Sequence, residues 1–135
     1  MGFSTTNANA ILDKLFGGTD FSPAATLYLG LSTTEPTDAG ANITEPSGGS
    51  YARISITTDG TEWVAASAGE KSNANDQEFA EATLAWGTIG WWVLMSAASG
   101  GVMHHWGKLQ TPRVVDAGDI LRFLAGDLVI QLRGE

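Results

Sequence analysis

The sequence contains no cysteine among its 135 residues. That removes a disulfide framework, a thiolate metal site and a cysteine nucleophile together, so stability has to come from packing, strand pairing and assembly. Charge is scarce as well: Asp, Glu, Lys and Arg make up 16% of the chain, against roughly a quarter in ordinary soluble domains. Basic residues number only seven, set against 15 acids for a net charge of −8. Lys14, Arg53, Lys71, Lys108, Arg113, Arg122 and Arg133 are scattered along the sequence and form no patch that can be read from it. Direct nucleic-acid binding, which rests on Lys and Arg neutralising phosphates, is therefore not expected. No apolar run reaches membrane-spanning length, and the opening MGFSTTNANA lacks the basic and apolar regions of a signal peptide. The expectation is a chain made in a cytoplasm with no membrane partner. No repeat of 20 to 50 residues is present either.

What the chain does have is 43% apolar residues, enough to fill one core, and a length that suits one domain, residues 1–135. Ala8, Ile11, Leu12, Leu15 and Phe16 fall at helical spacing, with Ser4, Thr5 or Thr6 as N-cap and Gly17-Gly18 as the stop. This predicts a helix over 5–16 with a single apolar stripe. After Pro23 the period changes to 2. Strands are predicted around Leu27, Leu29 and Leu31 and over 51–57, 61–66, 77–85, 89–96, 102–109, 119–124 and 127–132. A loop over 33–50, rich in Pro and Gly, is long enough to be expected to make contacts. The predicted class is mainly β: a two-sheet sandwich, jelly-roll-like, with about eight strands plus one N-terminal α-helix.

Chemistry-bearing patterns fail one by one. No G-x-S-x-G elbow exists, and the only histidines are His104 and His105. Neighbours on a strand point to opposite faces, so these two are not expected to share one metal. A calcium site would require Asp116, Asp119 and Asp127 to converge from their turns, without an EF-hand-like pattern to bring them there. Gly107-Lys108 is followed by Leu109 where a phosphate loop requires Ser or Thr. No catalytic, cofactor or metal residue is assigned, and the chain reads as a non-enzyme.

The aromatic residues say more. Around Trp91 and Trp92, alternation sends Trp91, Val93 and Met95 to one face and Trp92 and Leu94 to the other, so the strand is apolar on both sides and must be covered on both. The cover is expected to be the N-terminal helix or a partner subunit, the alternative being exposed Trp rings that stack on sugars. Ile11, Leu15 and Phe16 on the helix, with Trp91, Trp92, His105 and Trp106 on the hairpin, are the interface candidates.

Several segments taken in order resemble a family of small tailed-phage virion proteins. They are Asn9-Ala10-Ile11-Leu12-Asp13-Lys14-Leu15-Phe16-Gly17, the run from Thr26 to Pro36, Gly48-Gly49-Ser50-Tyr51-Ala52-Arg53 and Trp86-Gly87-Thr88-Ile89. The Ser99-Gly100-Gly101 turn with His105-Trp106-Gly107, and Ala117-Gly118-Asp119 through Ala125-Gly126-Asp127-Leu128, continue the match. Ser96-Ala97-Ala98 departs from it, where members are expected to carry an acid before the alanines. Members are described either as capsid decoration or cement proteins or as tail-fibre-like proteins. The resemblance implies a location in the virion and no catalytic residues. Compactness without a fibrous repeat favours a capsid cement that binds the major capsid protein and copies of itself, as a dimer or trimer. The alternative is a tail-fibre or tail-tip subunit, for which a carbohydrate partner would enter.

Overall fold

The period-2 segments pair as antiparallel neighbours. The computed structural model describes residues 1–132. Its elements run β1 (Gly2–Phe3), α1 (Thr5–Gly17), β2 (Thr26–Ser32), β3 (Ile54–Thr57), β4 (Glu70–Ser72), β5 (Gln77–Glu78), β6 (Gly87–Met95), β7 (Met103–Val115), β8 (Arg122–Phe123) and β9 (Val129–Gln131). The chain is mainly β with one short helix. A five-stranded antiparallel sheet has the order β1-β7-β6-β2-β3, two-stranded ribbons β4-β9 and β5-β8 stand beside it, and no barrel closes.

Alternation decides what each face of the large sheet meets. Leu29, Leu31, Ile56, Ile89, Trp92 and Leu94 enter a core with Trp63, Phe79, Trp86, Leu121, Phe123 and Leu128, so the second layer of the sandwich is built from the two ribbons and the segments between them. Asn73, 1% exposed, ties that layer together. Its Oδ1 accepts from Gly126 N (3.1 Å) and Leu128 N (2.9 Å), while Nδ2 donates to Asn75 O (2.8 Å) and Leu124 O (3.1 Å).

Strands in this layer are shorter than their alternation predicts, and side chains take backbone partners in the turns that interrupt them. Asp119 Oδ2 accepts from Asp116 N and Asp127 Oδ2 from Leu124 N, at 2.9 and 2.8 Å, so both acids close turns. The expected strand at 61–66 is reduced to one bridge, Trp63 to Asn73. Of 77–85 only β5 remains, and of 119–124 only β8.

The opposite face carries Val93, Met95, Met103 and Trp106, with Tyr28, Trp91 and Ile43 packed on them. Ile43 belongs to the 33–50 loop, which covers this face. Trp106 Nε1 donates to Asp38 Oδ1 (2.9 Å), and Thr33 N donates to Thr44 O (2.9 Å), folding the loop back on itself. The cover expected from the helix or from a partner subunit therefore comes from the loop.

Close packing also explains Gly107. A Cβ there would lie 2.3 Å from Trp92 Cε2 and Cζ2, far inside carbon–carbon contact distance. Gly107→Ala is expected to lower stability by about 1–3 kcal/mol, seen as a reduced urea midpoint at constant m-value. An unchanged midpoint would mean that the Trp92 ring has room to move.

Candidate functional site

The amino-terminal helix is anchored at one end. β1 pairs with β7, placing Gly2 opposite Trp106 and Phe3 opposite His105. Ser4, 2% exposed, then donates its N–H to His104 O (2.9 Å) and uses its Oγ to cap the helix by accepting from Asn7 N (3.1 Å). Thr5 N donates to Asp38 O (2.8 Å). At the far end Gly18, with φ of 67°, takes the left-handed conformation that a helix stop requires, and an exposed ion pair, Lys14 with Asp20, follows.

No residue of α1 is buried. Leu12, Leu15 and Phe16 are 53%, 64% and 85% exposed, while Ile11 is half-buried. Together with Phe3 and Leu132 they line a shallow apolar trough along the helix. Three large apolar side chains thus stand in water on one face, an uncommon arrangement unless something covers it.

The other interface candidates have different settings. Trp92, His105 and Trp106 are 4%, 3% and 5% exposed and are covered by their own chain. Trp91 is half-buried on the loop-covered face. Of the seven candidates, Leu15 and Phe16 alone are exposed. The aromatic side chains of the hairpin at 89–109 are thus covered by their own chain, while its turn at 98–102 and Lys108 are exposed.

A bulge changes the histidine geometry expected from alternation. Leu94 pairs with His105 and Met95 with Met103, leaving His104 as the extra residue on β7. Both imidazoles consequently line the same recess of about 470 Å³, bounded by Phe3, Leu27, Trp63, Leu94 and Ile130. His105 lies parallel to Trp92, ring centres 5.4 Å apart, and edge-on to Phe3 at 4.9 Å. Neither of its nitrogens has a hydrogen-bond partner. Burial, and then the positive charge at the amino terminus, push His105 down to about 4; burial alone lowers His104. Both are neutral near pH 7. Among the described residues no three His, Asp or Glu side chains converge to hold a metal.

A second cluster was hidden from sequence reading because Glu45, Tyr51 and Arg53, though close in the chain, meet backbone atoms of Leu31, Ala97 and Gly100 that lie far from them. Arg53, with its side chain 6% exposed, forms a two-pronged ion pair with Glu45 (Nε to Oε1 2.9 Å, Nη2 to Oε2 2.7 Å). Its Nη1 donates to Gly100 O (2.8 Å) and Ala97 O (2.5 Å). Tyr51 completes the cluster, donating its hydroxyl to Glu45 Oε1 (2.6 Å) and accepting from Leu31 N (3.0 Å). Burial raises the Glu45 carboxyl, but the hydrogen bonds from Arg53 and Tyr51 and the Arg53 charge outweigh it and hold the group below its ordinary value. Burial and the bond to Glu45 push the Tyr51 phenol up. The cluster fastens the loop to the sheet and is a structural clamp.

The family described as podophage GP4 fiber I protein gp80 matches residues 2–131. The chain belongs to this phage fibre family. Membership makes it a structural protein of the virion, in agreement with the family resemblance in its turns and strands. No curated protein matches it.

Proposed function

We propose that the chain is a non-catalytic subunit of the phage fibre assembly, held to a neighbouring virion protein through the exposed face of α1. The observation that carries this reading is the exposure of Leu12, Leu15 and Phe16 on a helix whose hydrogen bonds to the sheet and loop, among the described residues, come from its first turn. Apolar area hidden from water contributes about 25 cal/mol per Å², so covering this face stabilises an assembly where it does nothing for the isolated chain. The description of the family as a fibre protein favours the tail over the head. In the capsid cement reading the same face would meet the major capsid protein or a second copy, and the two readings differ in where the protein sits.

The double substitution Leu15→Asp and Phe16→Asp tests the surface. Both positions are exposed but lie in the last turn of the helix, where a carboxylate opposes the dipole. Each change is therefore expected to lower the stability of the purified protein by about 0.5–1 kcal/mol, while the variant fails to enter virions in a complementation assay followed by mass spectrometry of purified particles. Normal incorporation would remove α1 as the assembly surface. Antibody labelling of intact particles separates the readings, because label on the tail supports the fibre and label across the head supports cement.

A further inference from the structure

Three of the chain's scattered basic residues meet at one place. Lys108, Arg113 and Arg122 line a single cleft of about 290 Å³ between β7 and the β8–β9 region, on a protein whose net charge is −8. A strand irregularity creates the meeting. Ile89 pairs with Arg113 and Trp91 with Lys108, so on β7 the four residues 109–112 stand across from Gly90 alone. An excursion of this kind re-aims side chains, and such features concentrate at functional sites.

The charges are only partly answered. Arg122 gives Nε and Nη2 to Glu78 Oε2, at 2.9 and 2.6 Å. Asp127 also lines the cleft, but its carboxylate is engaged by Leu124 N. Lys108 and Arg113 have no hydrogen-bond or ion-pair partner among the described residues, nor do the side chains of Gln110 and Thr111 beside them. Three cations against the carboxylates of Glu78 and Asp127 leave the cleft with an excess of positive charge, and low-dielectric walls focus its field. Trp92, Leu121 and Phe123 give the same cleft an apolar wall.

We infer that this cleft binds an oxyanion, a carboxylate or phosphate carried on a sugar-sized molecule, with Lys108 and Arg113 holding the anion and the apolar wall receiving the body of the ligand. Arginine presents paired N–H donors to such a group and lysine a compact charge. The volume suits one small ligand and is too small for a folded segment.

Titration of the full chain with inorganic phosphate, glucuronate and glucose 6-phosphate, followed by tryptophan fluorescence and by calorimetry, tests the inference, with glucose as the neutral control. The anions are expected to bind saturably and more weakly as salt rises, and glucose not to bind. Lys108→Ala and Arg113→Ala should each weaken binding about tenfold and together abolish it, with thermal unfolding unchanged because both side chains are exposed. Phosphate binding without glucuronate binding assigns the site to phosphate esters, and the converse to carboxylates. No saturable binding of any anion, equal binding of glucose, or a double variant that binds like the parent would overturn it. Low-salt self-association that the double variant disperses, with no response to the small anions, would also overturn it, making an acidic protein segment the occupant.

Discussion

Arg53→Ala is expected to lower stability by about 3–5 kcal/mol, the range for removing one partner of a buried ion pair. Among the described residues the guanidinium is the one group that answers both oxygens of Glu45 while also meeting the carbonyls of Ala97 and Gly100. Its loss leaves the carboxylate with the Tyr51 hydroxyl on Oε1 but without its charge partner, leaves the carbonyls of Ala97 and Gly100 without the guanidinium, and frees the 33–50 loop from the β6–β7 hairpin. Arg53→Lys should fall in between, because a single ammonium keeps the charge but not the two-pronged geometry. Urea denaturation gives the magnitude. Hydrogen exchange gives the location: the amides of Thr33 and Thr44, which bond across and beneath the loop, should lose protection in Arg53→Ala before those of β6 do. A loss under about 1 kcal/mol would mean that the apolar contacts of Ile43 hold the loop without the clamp. Since Glu45 is held below its ordinary value, the stability it contributes is present above the ordinary carboxylate range and disappears as pH falls through the lowered value.

Acidification should act on His105 earlier. In the unfolded chain this imidazole titrates near 6.5; in the fold it sits at about 4. Between those values the unfolded chain binds the extra proton, so stability falls as pH drops from about 6.5 to about 4 and levels off below. A difference of this size corresponds to about 3 kcal/mol. His104, also lowered by burial, pulls in the same direction. His105→Phe retains an aromatic ring against Trp92 and Phe3 but does not titrate, so the stability difference between parent and variant should change by about 3 kcal/mol over this window. A difference that stays constant from pH 7.5 to 4.5 would show that His105 is not held neutral in the fold.

The two histidines show how far alternation reaches. A strict period of 2 separates them onto opposite faces, and the bulge at His104 brings both into one recess. A bulge is one extra residue on one strand, and its position depends on the partner strand, which lies outside any local window. The same holds for the basic cleft. Lys108 and Arg113 are five positions apart, and Arg122, on a strand of another sheet, joins their cleft only through tertiary folding. Asn73 was equally hidden, since its sequence setting is a polar stretch between strands and three of its four hydrogen bonds involve backbone atoms of Leu124, Gly126 and Leu128 that tertiary folding delivers.

What the sequence determined by itself is local and periodic. Absent cysteine, few charges and apolar spacing at 3.6 and then at 2 specified a chain that is mainly β with one amphipathic helix, placed at 5–16 and found at Thr5–Gly17. They also specified that the strand through Trp91 and Trp92 has two apolar faces, because side-chain direction along a strand is a property of the backbone alone. Tertiary structure decided what covers each face. The loop over 33–50, pinned by Arg53 and Glu45, occupies the side expected for the helix or for a partner, and α1, anchored through Ser4, Thr5 and Asn7 at its first turn, is left with Leu12, Leu15 and Phe16 in water. Which of two apolar elements takes a given face depends on long-range hydrogen bonds such as Arg53 to Ala97 and Trp106 to Asp38, and no periodicity records them.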